Sequence, residues 1–264
     1  MNIIQQPDML SLSMNLKNFI IGSSRQTTFT LKAGDKELVS QVYAPDENGV
    51  MEIDIHEIVH SFLSYSLKDI GEVYQQTNLV ADFTAVIDST EITFRVIRSG
   101  VDRLTDSPTN FLTQNFLTWQ PNVKPVTYYS PEFLTYYAVV AGTVKLRAYF
   151  TDESGTVKSQ TDYTVTELMP GIAYTMPLQY SVVAGWLEHK LPAYYDVWVE
   201  NTSGQRLTYI QRYYAEDMRS EQEQWILFEN SLGGVDTFRA YGNTVFNGEH
   251  THNIAEIDEF FSEY

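Results

Sequence analysis

Cysteine is absent from the 264 residues, so neither a disulfide framework nor a thiolate metal site can hold this fold, and pairing gives no redox compartment. Basic residues are scarce: 17 Lys plus Arg stand against 34 Asp plus Glu, a formal charge of -17. That balance repels phosphate backbones and anionic lipid head groups, so neither nucleic acid nor a membrane is an expected partner. The acids are scattered among apolar residues and form no runs, the pattern of a solvated surface. Long apolar stretches are missing too, with nothing near the roughly 18 residues of a bilayer span. Met1 to Asp8 lacks the basic flank and apolar run of a secretory leader. The expectation is a protein that is cytoplasmic until it is assembled, with a virion as one destination.

What is plentiful is aromatic and β-branched. Eighteen Tyr, 14 Phe and 4 Trp sit with Val, Ile and Thr in alternating order, which suits pleated, half-buried surfaces better than helical stripes. The expected fold class is all-β with one or two short helices. Gly34-Asp35, Asn48-Gly49, Glu153-Ser154-Gly155 and Ser203-Gly204 punctuate the alternation, and Asn48-Gly49 has the composition of a type I′ hairpin turn. Short strands with regular turns point to sandwiches.

The two halves also read alike. Phe29, Leu31 and Ala33 are echoed by Val144, Leu146 and Ala148. Phe83, Ala85 and Ile87, a turn from Asp88 to Glu91, and Ile92, Phe94 and Val96 are echoed by Tyr195, Val197 and Val199, a turn from Asn201 to Gly204, and Leu207 and Tyr209. Matched positions lie about 112 to 115 residues apart, as one β unit used twice would place them. Two similar antiparallel β-sandwich domains, Ig-like or related, are therefore expected in tandem. The stretch from Trp119 to Pro125 carries two prolines that cannot donate to a ladder, and Ser130-Pro131 adds a third. The boundary is placed there: 1–120 and 121–250 as the two domains, 251–264 as a C-terminal amphipathic helix.

Two stretches read as helical. Ile55, Ile58, Val59, Phe62 and Leu63 recur at spacings of three and four, with Asp54 as N-cap and Glu57 in a capping-box position. Near the end, Asn253 can cap a helix whose Ile254, Ile257, Phe261 and Tyr264 share one face, while Glu256, Asp258, Glu259 and Glu263 face outward. That apolar face would dock on its own domain or on another subunit.

The first helix contains His56-Glu57-Ile58-Val59-His60, a match to H-E-x-x-H, in which two imidazoles one turn apart hold zinc and the Glu activates its water. The extended form of that motif needs a glycine where Leu63 stands and a third histidine where Ser66 stands. Glu72 or Glu91 could supply a third ligand, but neither sits in a second recognisable motif. Read structurally, Glu57 caps the helix and complements its dipole, and the histidines flank an apolar stripe. Other candidates are weaker. Glu249-His250-Thr251-His252 follows Asn247-Gly248 and reads as a solvated loop. Asp46-Glu47-Asn48-Gly49 lacks the spacing of a calcium loop. His189, between Glu188 and Lys190, has no serine elbow or phosphate cradle near it in sequence. No catalytic, cofactor-binding or metal residue is assigned, and no cofactor is expected.

Aromatic doublets stand at Tyr128-Tyr129, Tyr136-Tyr137, Tyr194-Tyr195 and Tyr213-Tyr214. Neighbours on a strand face opposite sides, so each doublet is expected to send one ring inward and one outward, where it could meet a partner protein or stack on a sugar.

Three segments resemble a known group. Gln5 to Leu12 (QQPDMLSL), Phe116 to Pro121 (FLTWQP) and Trp225 to Phe238 (WILFENSLGGVDTF) are similar to uncharacterised, tail-associated proteins of prophage-type regions in gut bacteria. The resemblance spans most of the chain and is strongest from Asn230 to Phe238, where a strand ends in a Gly-Gly turn before the next begins, with Gly233 or Gly234 expected at positive φ. It implies a virion or assembly component without a cofactor. The expected function is a non-enzymatic structural or adaptor subunit acting through protein partners, such as neighbouring tail or assembly proteins, and through homo-oligomer contacts. The alternatives are a zinc peptidase using His56, Glu57 and His60, and a glycan- or receptor-binding sandwich.

Overall fold

The structure, a computed structural model, describes residues 1–68, 70–216 and 223–242. Its first half runs β1 (Asn2–Gln5), β2 (Leu10–Leu12), β3 (Phe19–Gly22), β4 (Thr27–Ala33), β5 (Lys36–Tyr43), β6 (Val50–Ile53), helix α1 (His56–Phe62), β7 (Tyr74–Gln75), β8 (Val80–Ile87), β9 (Thr90–Ile97) and helix α2 (Pro108–Gln114). The second half runs β10 (Val123–Val126), β11 (Phe133–Ala138), β12 (Gly142–Thr151), β13 (Val157–Leu168), β14 (Ile172–Pro177), helix α3 (Tyr180–Trp186), β15 (Tyr194–Asn201) and β16 (Gln211–Ala215), and closes with the hairpin β17 (Gln224–Glu229) and β18 (Val235–Ala240). The fold is all-β. No helix among the described residues is long and apolar enough to cross a membrane.

The two large sheets have matching strand orders. One five-stranded sheet reads β2-β9-β8-β4-β5 and the other β10-β16-β15-β12-β13. In each, the first strand pairs parallel to its neighbour and the remaining pairs are antiparallel. A helix follows β6 in one half and β14 in the other. Alternation explains which side each strand buries. In β4, Phe29 and Leu31 are sealed, as are Val144, Leu146 and Ala148 in β12. The first core joins Phe29, Phe83 and Phe94 of the five-stranded sheet to Phe19, Ile21, Met51 and Ile53 of the sheet β1-β3-β6. The second joins Leu146, Tyr195 and Tyr213 to Leu134, Tyr136 and Met176 of the sheet β11-β14-β7.

A third cluster spans the halves. Leu12, Leu79 and Ile97 from the first meet Tyr137 and Ala173 from the second, and Leu232 and Val235 of the closing hairpin complete it. β7 belongs to the first half by position but pairs with β14, through Tyr174↔Gln75 and Thr175↔Tyr74. β11 is buried along its whole length, with Leu134, Tyr136 and Ala138 in the second core and Tyr137 in this third cluster.

Several expectations need correction. Asn48-Gly49 does not close a hairpin: β5 pairs with β4 and β6 with β3, so the turn carries the chain from one sheet to another. Gly49 alone takes positive φ there, and Asp46 Oδ1 accepts from the Asn48 and Val50 amides. α1 spans His56–Phe62, with Ile55 at the cap position, and Asp54 Oδ1 accepts from the His56 amide at 2.9 Å. Leu207 and Tyr209 precede the last strand of the second large sheet, which is Gln211–Ala215. Pro125 lies within a strand, tolerated because β10 is at a sheet edge and needs no donor there. α2 and α3 were not anticipated. α2 carried a legible signal, since Ser107 caps it by accepting from the Asn110 amide and Pro108 opens it. α3 has no side-chain cap. Glu249 to His252 and the helix expected from Asn253 lie outside the described residues.

Candidate interaction face

His56 and His60 stand one turn apart on α1 with ring centroids 6.1 Å apart, stacked at 27°. His60 Nδ1 shares a 2.9 Å hydrogen bond with the buried Ser13 hydroxyl. Arg98 donates to the His60 and Leu63 carbonyls at the helix C-terminus, at 3.2 and 3.1 Å, and so sets a cation beside the pair. Among the described residues, no group of three His, Asp or Glu side chains converges as metal ligands would. Glu57 is exposed, as are Glu72 and Glu91. Partial burial, then the Arg98 charge, then His56 hold the His60 imidazole below its ordinary value. Its neutral form is therefore the one the fold favours, and its stabilisation is present above pH 6.5 and lost as pH falls through the lower folded value. NMR titration should place the His60 midpoint below 6.5, and an Arg98→Ala variant should move it back upward.

A different surface brings functional chemistry together. Along β12 and β15 every second residue points away from the core, and in register the outward positions form rows across the sheet. In the middle row Arg147 donates to both oxygens of Asp162, at 2.5 and 2.8 Å, and Arg212 does the same to Asp196, at 2.6 and 2.8 Å. Arg147 holds the exposed Asp162 carboxyl below the usual range. In the next row Tyr149 stacks on Tyr194 with centroids 4.4 Å apart, and the Arg212 guanidinium lies 4.5 Å from the Tyr194 ring. Tyr214 stands opposite Tyr194 and remains 39% exposed. On the other side, Trp198 lies 5.7 Å from the Arg147 guanidinium, and its indole donates to Glu200 at 2.7 Å. Lys145 reaches Thr164 at 3.0 Å. Trp198 and Asp162 border a hollow of about 270 Å³ on this face.

The equivalent face of the first half is built from small polar residues. Thr30 bonds Ser40 at 2.8 Å, Thr84 meets Thr93 at 3.4 Å, and Arg95 pairs with Asp82 at 2.7 Å through both its donors. The cross-strand Arg–Asp pair recurs between matching strands of the two sheets, while the Tyr and Trp rings appear in the second alone.

The tyrosine doublets divide. Tyr194-Tyr195 and Tyr213-Tyr214 place one ring in the core and one outside. Tyr136 and Tyr137 are both buried because β11 is covered on both faces, and Tyr128 and Tyr129 are both exposed in a turn. The sequence marks the doublets that contain Tyr194 and Tyr214 without telling which ring of each faces outward, and it does not single out Arg147, Trp198 and Arg212. The alternation that would have placed these three outward was present; the cross-strand register was not.

No known protein family matches this chain, and no curated protein matches its sequence. Among solved structures, it is similar to a 1.5-MDa bacterial ice-binding adhesin studied for host cell surface retention, at 12% identity over 81% of this chain and 61% of that one, with a TM-score of 0.19. It is also similar to trypsin-activated alpha-2-macroglobulin from Escherichia coli, at 10% identity over 86% of this chain and 18% of that one, with a TM-score of 0.19. The chain spans less than two thirds of either structure. At such scores neither likeness carries weight for fold or function.

Proposed function

We propose that this protein is a non-enzymatic structural or adaptor subunit, of a phage-tail-like assembly, that acts through protein–protein contacts. The observation that carries this reading is the outer face of the second large sheet. Tyr, Trp and Arg are the residues that most often dominate protein interfaces, and here they are concentrated on a sheet face that no other described element covers. The matching strand orders and the two cores, each fed by a large and a small sheet, support the reading of two similar β-sandwiches in tandem, 1–120 and 121–250, with two departures from the expected antiparallel, separate units: one edge pair of each large sheet is parallel, and β7 of the first half completes the small sheet of the second. The resemblance of the Gln5 to Leu12, Phe116 to Pro121 and Trp225 to Phe238 segments to tail-associated proteins supplies the kind of assembly.

Light scattering at micromolar concentration, alone and after mixing with the products of adjacent genes, tests the reading. Self-association or capture of one such product is expected, and cross-linking should trap it. A chain that stays monomeric and captures none of them would overturn the proposal.

A further inference from the structure

We infer that the outer face of the second five-stranded sheet is a self-association surface, packing against the same face of a second copy of this chain. The inference rests on the structural-subunit reading and adds to it the surface and the occupant.

Charge separates a second copy from other occupants. The whole chain carries -17, so two copies repel wherever average surfaces meet. On this face Arg147, Arg212 and Lys145 stand among Asp162, Asp196 and Glu200, and the charges cancel. Both arginines are already held by bidentate contacts to carboxylates, and Lys145 is engaged by the Thr164 hydroxyl, so each of the three cations has its partner within the face. A self-contact here escapes the repulsion that the rest of the surface imposes.

Extent agrees. Five strands about 4.8 Å apart, with eight residues of β15 rising about 3.3 Å each, present on the order of 600 to 700 Å². A standard interface buries about 800 Å² per partner, which this face and its rim approach. A two-fold contact brings the same patch to both sides and closes the assembly at two, leaving the first half and the closing hairpin for other neighbours.

Order lowers the cost. Tyr149 is stacked on Tyr194, Arg212 lies over Tyr194, and Arg147 lies between Trp198 and Asp162. Each ring is already fixed by its neighbours, so little rotamer freedom remains to be lost on docking. The first half's threonine-lined face, on the same strand order, serves as the internal comparison. A solvated sheet face is stable without stacked rings, and the second face has them.

Sedimentation or light scattering of the full chain from about 1 to 100 µM reads the equilibrium. A dimer is expected, weakened at least tenfold in Kd by Trp198→Ala and by Tyr214→Glu, and unchanged by the double variant Thr84→Ala/Thr93→Ala on the other face. Circular dichroism of each variant confirms folding; should Trp198→Ala fail to fold, the exposed position in Tyr214→Glu reads the same contact. A dimer indifferent to both face variants overturns the inference while the subunit reading stands. A chain monomeric at 100 µM that captures an adjacent gene product does the same. Binding to immobilised oligosaccharides that is lost in Trp198→Ala would also overturn it, by giving the face to sugars.

Discussion

Gly234→Ala is expected to lower stability by at least about 3 kcal/mol in urea unfolding followed by tryptophan fluorescence, and Gly233→Ala by as much or more. A Cβ on Gly234 would overlap the Leu117 carbonyl, and one on Gly233 the Arg98 carbonyl. Both obstacles are backbone, which cannot rotate away. Gly233 also sits at φ +90°, where an L side chain is strained. The turn is wedged where the halves meet. Gly100 donates to the Ser231 carbonyl at 2.8 Å, Asn230 Nδ2 to the Leu117 carbonyl at 3.1 Å, and the Trp119 indole to the Ser231 hydroxyl at 2.9 Å. Asn230 Oδ1 in turn accepts from the Leu232 and Gly234 amides and shapes the loop. Gly155 and Gly204 provide the comparison: both have positive φ in hairpin turns, yet nothing lies near the added carbon. Alanine there should cost only about 1 kcal/mol, the conformational part alone. If all four substitutions cost the same, the wedge has no special weight.

Lys124→Met is expected to destabilise the protein by about 3 to 5 kcal/mol at pH 8, and by much less at pH 5.5. Lys124 Nζ donates to Glu132 Oε2 at 2.8 Å and to the Thr237 carbonyl of β18 at 2.8 Å, with both side chains almost sealed. Burial pushes the Glu132 carboxyl up to about 7 against the pull of Lys124, and Asp236 adds to the rise. Because the folded value lies above the ordinary 4.5, the folded state is the better proton binder. Glu132 therefore contributes stability that is complete below about pH 4.5 and lost as pH rises through 7, amounting to roughly 3 kcal/mol. Without Lys124 the carboxylate is left alone in the core, a cost that vanishes once it is protonated. Glu132→Gln should remove the slope between pH 5 and 8 relative to the parent. The His60 effect has the opposite sign in part of this range, so the difference between the two proteins is the quantity to read. Asp46, Asp82, Asp152 and Asp162, all held low by hydrogen bonds or arginines, act only toward pH 4 and below. A Glu132→Gln variant with an unchanged pH slope would exclude the carboxyl as its origin.

The histidine pair shows how a motif can be legible and still lack its surroundings. Spacing placed His56 and His60 one turn apart, and the helix bears that out. Whether a third donor approaches depends on loops and strands far along the chain, and what approaches is Ser13, 47 residues away, and the Arg98 guanidinium. Among the described residues the pair has no third ligand.

Alternation decides which side of a strand is apolar, because successive side chains point to opposite faces. For that reason the all-β class, the inward set Phe29, Leu31, Val144 and Leu146, and the echo between the halves were all readable from residue order. So was a positive φ at Gly233 or Gly234, and it is Gly233 that takes it. Partners across a sheet, by contrast, are set by packing between segments distant in sequence. Nothing local announced that β7 would leave its own half for β14, that Pro125 would sit in an edge strand beside β16, or that the Asn230 to Gly234 turn would wedge against Arg98 and Leu117. The aromatic and arginine rows exist only because β12, β13, β15 and β16 align in one register, and that alignment follows from the burial of their other faces.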